Sequence, residues 1–213
     1  MLKIKNKLIL FALFSVLFAA PAFADFAEDL MNFTSMDKSL LPMKEINFKA
    51  GVDFSGLVES NKNIGQDGVS DFTAGDNVSF AAEYFMYFNE YVAAGAGLSA
   101  ENLRPIDSFP GKFGFAPLYV GVKVRSWPQE PGMYGYVVGQ AGYGFMYGNT
   151  SFTDSLQIKN GGFYYAFGLG IVYKYVILEA LYGFNYGTLE DKTSGNKTEI
   201  TYSRWTISIG YKI

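Results

Sequence analysis

The sequence predicts an all-β protein, an eight-stranded antiparallel up-and-down transmembrane β-barrel. Three observations predict this fold. Eight segments alternate between apolar and polar residues with a period of two, short turns alternate with long polar loops, and aromatic side chains flank aliphatic ones on the apolar faces. We expect residues 44–213 to form the barrel, after a leader of residues 1–24 and a periplasmic segment of residues 25–43.

The composition suits strands and narrows the possible chemistry. Of the 213 residues, 18% are aromatic and 24 are glycine, a mixture that fits twisted strands better than helices. Neither cysteine nor histidine occurs, which excludes disulfides and thiolate metal ligands and removes the usual general base. We therefore expect no catalytic residue, no metal site and no cofactor.

The amino terminus has the features of a secretory signal peptide. Lys3, Lys5 and Lys7 precede an apolar run at residues 8–20, and the small residues Ala22 and Ala24 follow where a signal peptidase needs them. This run is shorter than the roughly 20 residues that a membrane-spanning helix needs. Cleavage after residue 24 would change the formal charge from −3 to −6, which disfavours a nucleic-acid partner.

Residues 25–43 precede the first predicted strand. Phe26, Leu30 and Phe33 are spaced as on one face of a helix. Two interpretations remain open: a short amphipathic helix at the periplasmic rim or in the barrel mouth, or a poorly ordered tail.

The first four predicted strands lie in residues 46–58, 78–88, 92–100 and 117–127. On the first strand, one face carries Ile46, Phe48, Ala50, Val52, Phe54 and Val58, and the other carries Asn47, Lys49, Asp53 and Ser55. The second strand places Val78, Phe80, Tyr84 and Phe88 opposite Ser79 and Glu83. On the fourth, Leu118, Val120, Val122 and Val124 lie opposite Tyr119, Gly121, Lys123 and Arg125.

The last four predicted strands lie in residues 133–147, 163–173, 176–187 and 204–213. Strand five is the least regular, because Tyr134 and Tyr136 share the parity of Gln140, and a bulge there would exchange its faces. The last strand alternates up to its end, which leaves no open edge when it pairs with the first strand to close a barrel.

The connections alternate in length. Residues 89–91, 128–132 and 174–175 have hairpin lengths, whereas residues 59–76, 101–114, 148–162 and 188–199 form longer polar links. Short turns at one end and long loops at the other are typical of outer-membrane barrels.

The apolar face distinguishes a membrane barrel from a soluble one. A soluble barrel turns apolar residues inward, whereas here the polar face carries small residues and a few charges that fit a narrow interior. Aromatic residues at the strand ends also predict two interfacial girdles around a hydrocarbon band of about 25 Å. The predicted girdle residues are Phe88, Phe163, Tyr165, Tyr173, Phe184, Tyr186, Trp205 and Tyr211.

These motifs resemble the small outer-membrane β-barrel proteins of the OmpA and OmpX kind in Gram-negative envelopes. The resemblance covers about residues 44–213 and rests on the terminal WTISIGYKI, on PLYVGVKVRSW followed by YGYVVGQAGYG, and on GLGIVYKYVILEALYG. It implies recognition of the last strand by the barrel-assembly machinery, although this chain has Ile213 where the family usually has an aromatic residue.

Parity places a set of charges in the lumen: Lys49, Asp53, Glu83, Lys123, Arg125, Glu179, Arg204 and Lys212. One interpretation is a plug of mutually paired charges, because charges away from bulk water must be paired or hydrogen-bonded. The other is a polar path for ions or small solutes. Six inward glycines, Gly95, Gly97, Gly142, Gly144, Gly168 and Gly170, leave room for large neighbours such as Tyr119 or Tyr164.

The function predicted from these features is a non-enzymatic outer-membrane barrel with a structural or surface-interaction role. The alternatives are a narrow pore for ions or small solutes and a lipid-modifying enzyme, in which a carboxylate pair such as Asp53 with Glu83 could serve as the acid and base. We expect outer-membrane lipids and lipopolysaccharide as partners and no nucleic acid. For the long loops two interpretations remain open: they bind a surface ligand, which the sequence does not identify, or they pack on one another.

Overall fold

The computed structural model describes residues 44–60, 71–106, 109–126, 133–149, 156–192 and 195–213. The predicted leader of residues 1–24 and the segment of residues 25–43 lie outside the described residues. Within the described ranges, no helix has the length and apolar character needed to cross a membrane.

In the described residues, ten strands form one closed antiparallel sheet. Their bounds are β1 Lys44–Ser60, β2 Asp71–Ala74, β3 Asn77–Tyr87, β4 Val92–Glu101, β5 Arg104–Ile106, β6 Phe109–Arg125, β7 Met133–Gly148, β8 Leu156–Tyr173, β9 Val176–Asp191 and β10 Lys197–Lys212. Eight of them make the barrel wall, and the short strands β2 and β5 extend the wall beside β1 and β6. The predicted eight-stranded up-and-down barrel is confirmed.

Pairing between the last strand and the first closes the barrel. The register runs from Asn47 opposite Lys212 to Ser60 opposite Ile200. Ile46 and Ile213 also exchange two backbone hydrogen bonds, of 3.0 and 2.9 Å. Because every wall strand is paired on both sides, the backbone groups of the wall are satisfied without water, as a bilayer requires.

The two ends of the barrel differ. At one end, which we call the turn end, lie the β3–β4 and β8–β9 turns, the β6–β7 connection, the start of β1 and the end of β10. The opposite end, which we call the loop end, receives the four longer connections. At the loop end, β2 pairs with β1 and β5 pairs with β6, and Ala74 lies opposite Ile106 to join the two short strands.

The barrel exposes apolar residues and buries polar ones. Ile209 and Leu169 are each 61% exposed, whereas Glu83 is 3% and Asp53 0% exposed. In water such an outer surface would cost free energy, since about 25 cal/mol is lost for each Å² of exposed apolar area. The surface suits contact with acyl chains around the whole wall.

The strands extend further toward the loop end than the alternation indicated. β6, β8 and β10 begin at Phe109, Leu156 and Lys197, whereas the pattern predicted starts at residues 117, 163 and 204. The strands β2 and β5 were predicted as loop. Outside a bilayer both faces of a strand can be polar, so these extensions carry no alternation signal.

A bulge in β1 reverses the faces of the residues that follow it, so the faces predicted for the end of this strand were wrong. Ser55 has a φ of 53°, and the register against β10 shifts between Phe54 and Leu57. The extra residue exchanges the faces beyond it. Val58, predicted to point outward, is therefore buried in the lumen, and Leu57 is exposed instead.

Two apolar clusters close the lumen above and below its polar middle. The loop-end cluster consists of Val58, Ala74, Phe113, Phe115, Met146, Leu189, Ile200 and Tyr202. The turn-end cluster consists of Phe85, Tyr87, Ala93, Tyr134, Tyr136, Val138, Val172 and Ile177. Phe113, predicted as a loop residue, is a fully buried member of the first cluster.

Candidate functional site: the charged lumen

Lys49 is the centre of the middle group of polar side chains. Its ammonium lies 2.8 Å from the Glu83 carboxylate and also pairs with Glu179, and all three side chains are buried. β1, β3 and β9 supply the three residues, each at an inward position of its strand. One cation thus links two anions that come from two strands that are not neighbours in the wall.

Neutral hydrogen-bond donors surround the two carboxylates of this middle group. Glu83 accepts hydrogen bonds from the Tyr119 hydroxyl and the Gln140 amide, each at 3.0 Å. Glu179 accepts one from the Tyr136 hydroxyl at 2.6 Å. Tyr164 in turn donates to the Gln140 carbonyl oxygen at 2.7 Å. These donors disperse the negative charge that Lys49 leaves uncompensated.

The loop-side group contains two arginines and two carboxylates. The Arg104 guanidinium lies 2.9 Å from Asp53 and 2.6 Å from Glu101, and Arg204 lies 3.3 Å from Asp53 and 2.6 Å from Glu101. Each arginine therefore touches both carboxylates. Ser79 and Thr206 also donate to Asp53, at 3.0 and 2.6 Å. With two charges of each sign, this group is neutral.

The turn-side group is built around Glu45. Its carboxylate lies 2.5 Å from the Lys123 ammonium and accepts hydrogen bonds from Asn47, Tyr87 and Tyr134 at 2.7, 3.1 and 3.0 Å. Lys123 also lies over the Phe85 ring, 4.3 Å from its centroid, which adds a cation–π contact.

Glycines make room for the large rings among these charges. A Cβ on Gly97 would lie 2.7 Å from the Tyr119 ring, and one on Gly170 would overlap the Tyr136 ring. The ring hydroxyls reach Glu83 and Glu179 only because these wall positions have no side chain. This agrees with the interpretation that the inward glycines serve packing.

The structure brings six of the predicted lumen charges into these groups and leaves two apart. Lys49, Glu83, Glu179, Lys123, Asp53 and Arg204 are buried and paired. Arg125 and Lys212 lie at the turn end, where both are partly exposed. Their contacts are with aromatic rings and with hydrogen-bond acceptors.

Sequence reasoning missed three charged members of the lumen. Glu45 and Glu101 have the inward parity of Asn47 and Ser99, so extending each predicted strand by one residue would have found them. Arg104 lies on β5, inside a stretch predicted as loop, and no alternation marked it. All three are almost fully buried, at 3%, 3% and 1% exposure.

The predicted girdle residues lie on the outer surface, with one at a turn. Near the loop end, Tyr165 stacks on Phe184 with ring centroids 4.6 Å apart and lies 5.9 Å from Phe163 and 6.2 Å from Tyr186. Trp205 contacts Tyr182 at 4.8 Å on the same side. Near the turn end, Tyr173 and Tyr211 are each 53% exposed, and Phe88 lies in the β3–β4 turn, half-buried.

The distance between the two aromatic levels can be estimated on one strand. Tyr165 and Tyr173 are eight positions apart on β8, which is about 27 Å along the strand and about 20 Å along the axis of a barrel tilted by about 40°. Phe167, Leu169 and Ile171 fill the outer face between them. The spacing is somewhat smaller than the apolar band of about 25 Å that is typical of an outer-membrane barrel.

The described part of the lumen contains a small cavity. It has a volume of about 30 Å³ and lies between the middle and loop-side groups, lined among others by Lys49, Gln140, Tyr164, Glu179 and Arg204. That volume holds about two water molecules. Among the described residues, no cluster of three or more potential metal ligands occurs.

Two solved structures share this fold at low sequence identity. The outer membrane protein OprG from Pseudomonas aeruginosa is 11% identical, with a TM-score of 0.50 over 81% of this chain and 97% of that chain. Neisserial surface protein A is 13% identical, with a TM-score of 0.50 over 80% of this chain and 97% of that one. No protein-family model matches the sequence, and no curated protein matches it significantly. The chain therefore has the fold of the small eight-stranded outer-membrane barrels.

Proposed function

We propose that this chain is a non-enzymatic β-barrel protein of the bacterial outer membrane with a structural or surface-interaction role. The observation that carries the proposal is the filled lumen. Three groups of paired charges lie between two apolar clusters, and the cavity among them has room for about two waters. A barrel with this interior serves as a rigid support and has no open channel.

Several features support a place in the outer membrane. The exposed apolar wall fits acyl chains, and the two aromatic levels fit the two interfaces of a bilayer. The amino-terminal residues resemble a secretory signal, which would direct the chain out of the cytoplasm. Outer-membrane lipids and lipopolysaccharide are the partners that this wall would contact, and β10 would be the strand recognised by the barrel-assembly machinery.

The loop end is the part that we propose for surface interactions. β2 and β5 continue the sheet beyond the loop-side charges. β2 belongs to the connection between β1 and β3, and β5 belongs to the connection between β4 and β6. A rigid platform under long loops reduces the entropy lost when the loops bind a partner.

Planar-bilayer recording tests the closed lumen. We expect purified, folded protein to give no steady single-channel current. The control is the double variant Phe115→Ala with Tyr202→Ala, which removes two stacked rings of the loop-end cluster. Steady conductance of the unmodified protein that changes on replacing Lys123 or Glu83 would overturn the proposal and favour a narrow pore for ions or small solutes.

The burial of the two candidate carboxylates argues against catalysis. Asp53 and Glu83, the carboxylates considered for a lipid-modifying reaction, are buried and held in different charge groups. We propose that the protein leaves lipids unchanged. Mass spectra of lipid A and phospholipids after incubation with the protein test this, and a new lipid product would contradict it.

A further inference from the structure

Two exposed lysines lie on one sector of the turn end. Lys44 begins β1, and Lys174 lies in the β8–β9 turn, where its φ is 56°. β10 separates β9 from β1, so the two lysines are two strands apart. Both side chains are exposed. No carboxylate of the described residues forms an ion pair with either lysine.

Most of the other charged side chains at this end are also cations. Arg125 and Lys212 are partly exposed there, and Glu90 is exposed in the β3–β4 turn. Glu90 lies beside Arg125, whose guanidinium donates a hydrogen bond to the Glu90 backbone carbonyl oxygen. Glu45 is buried in the lumen, where it pairs with Lys123 at 2.5 Å. The exposed charge of the described part of the turn end is therefore positive.

The loop end, by contrast, exposes both signs of charge. Glu59 and Glu199 are exposed there as well as Lys197, and Lys159 pairs with Glu190 at 3.2 Å. In outer-membrane barrels the short turns lie on the periplasmic side. The membrane leaflet on that side consists of phospholipids, and some of these are anionic. The positive end of this barrel would therefore lie in the leaflet that contains anionic phospholipid.

Two stacked tyrosine rings lie between the two lysines. Tyr175, at the β8–β9 turn, is 60% exposed and Tyr211, on β10, is 53% exposed, and their ring centroids are 5.9 Å apart. The Lys212 backbone N–H donates a hydrogen bond of 2.8 Å to the Tyr175 carbonyl oxygen, which ties the turn to β10. Tyrosine rings with a polar tip favour the headgroup level of a membrane. We call Lys44, Lys174, Tyr175 and Tyr211 the turn-end rim.

The register of the strands brings the two lysines within reach of one headgroup. Lys174 is level with Ile46, two strands away, and Lys44 lies two residues beyond Ile46 on β1. With about 4.8 Å between neighbouring strands and about 3.4 Å per residue, the Cα atoms of the two lysines are about 12 Å apart. The flexible four-carbon stem of each lysine can bring both ammonium groups to the same phosphate.

The wall next to the rim suits acyl chains. Phe48 on β1, Ile209 on β10 and Leu178 on β9 have exposed side chains on the same three strands, further toward the middle of the barrel. A ligand that meets both surfaces has a negatively charged head and an apolar tail. This combination favours a lipid over a soluble phosphate.

We propose that the turn-end rim binds an anionic phospholipid. The ammonium groups of Lys44 and Lys174 hold its phosphate beside the stacked rings of Tyr175 and Tyr211, and its acyl chains lie along the apolar face of β9, β10 and β1. Bound lipid would fix the depth of the turn end in the membrane. This inference rests on the proposed place in the outer membrane and adds to it a class of lipid and a position.

Quenching by brominated lipids tests the binding. The processed protein carries Val176→Trp next to the rim, and Trp127→Phe with Trp205→Phe leaves this probe as the only indole. It is folded into phosphatidylcholine vesicles that contain either brominated phosphatidylglycerol or brominated phosphatidylcholine. We expect phosphatidylglycerol to bind beside the probe about threefold or more tightly than phosphatidylcholine, because two basic residues near a membrane surface attract anionic lipid.

The result separates this inference from the proposed function. Equal quenching by the two brominated lipids would overturn the inference and leave the membrane location standing. Absence of quenching by either lipid, in protein whose gel mobility shows a folded barrel, would contradict the membrane location and the inference with it.

Matched variants show whether the rim is the site. Lys44→Gln with Lys174→Asn should bring the ratio of the two affinities to about one. Asparagine is chosen because it tolerates the positive φ at this turn position. The control is Lys197→Gln, which removes an exposed lysine of the loop end and should leave the preference unchanged. An equal loss in this control would show that overall charge, and not the rim, attracts the lipid, and would overturn the inference.

A competitor identifies the source of the phosphate. Inorganic phosphate, added at constant ionic strength, should leave the preference of the Val176→Trp probe unchanged, because it lacks the acyl chains that hold a lipid against the wall. If it abolished the preference, the rim would be a site for free phosphate, and the proposed lipid site would be wrong.

Discussion

The ammonium of Lys49 and the carboxylate of Glu83 lie 2.8 Å apart at the middle of the lumen, and both side chains are buried. Lys49 also pairs with Glu179, so a single cation compensates two buried anions. Removing one partner of a buried pair leaves an uncompensated charge, which is far more costly than losing a surface pair. The groups of the lumen therefore differ in how much they depend on any one residue.

The first prediction concerns Lys49 itself. Lys49→Met should lower the free energy of unfolding by about 3–5 kcal/mol, because Glu83 and Glu179 both lose their cation. Urea titration of the protein in lipid vesicles measures this. Adding Glu83→Gln and Glu179→Gln should restore part of the stability, since no bare anion then remains. If Lys49→Met were as stable as the unmodified protein, the ion pairs of the middle group would make no net contribution to stability.

The second prediction is that the loop-side group depends less on a single cation for its stability than the middle group does. Arg104→Met should lower the free energy of unfolding by less than half as much as Lys49→Met does. The reason is that Arg204 remains within 3.3 Å of Asp53 and 2.6 Å of Glu101. Replacing both arginines should cost clearly more than the sum of the single changes, as expected for residues that share partners. Additive effects in the same urea titration would contradict this sharing.

The third prediction concerns the contact between Gly170 and the Tyr136 ring. A Cβ on Gly170 overlaps the Tyr136 ring, so Gly170→Ala should destabilise the barrel by about 1–3 kcal/mol through overpacking. Gly139→Ala is the matched control, because no atom lies within 4 Å of a Cβ there. Combining Gly170→Ala with Tyr136→Leu should cost less than the two separate losses. If Gly139→Ala were equally harmful, strand propensity and not the ring would be the cause.

Alternation, together with the connection lengths and the aromatic positions, predicted the barrel. Alternation also predicted the inward position of the six charges that are buried and paired, because a bilayer forces one face of every strand to be apolar. It found Lys49, Glu83 and Glu179 for this reason. It missed Arg104 because that residue lies beyond the apolar band, where a strand needs no alternation. It misplaced Val58 because the bulge at Ser55 depends on a positive φ that no sequence signal marked. Pairing partners come from different strands and depend on register, which the sequence did not reveal.

The fourth prediction concerns the outer face of β10. Ile209 is 61% exposed among aliphatic neighbours, so Ile209→Arg should cost about 2–4 kcal/mol if this face contacts hydrocarbon. Ile213, at the turn end of the same face, is 69% exposed, and Ile213→Arg should cost about 0–1 kcal/mol. Urea titration in vesicles gives both values. Equal and small costs would mean that β10 faces water.

The fifth prediction places Trp205 at an interface of the bilayer. The chain has two tryptophans, so Trp127→Phe leaves Trp205 as the only indole. Because Trp205 lies at the level of Tyr182 and Phe184, its fluorescence should be quenched more by lipids brominated close to the headgroup than by lipids brominated at the chain ends. The matched probe is Leu169→Trp with both native tryptophans replaced by phenylalanine. Leu169 lies between the two aromatic levels of β8, so a tryptophan there should show the opposite order of quenching. If both probes respond alike to the two lipids, or to neither, the two aromatic levels do not mark the boundaries of a hydrocarbon layer.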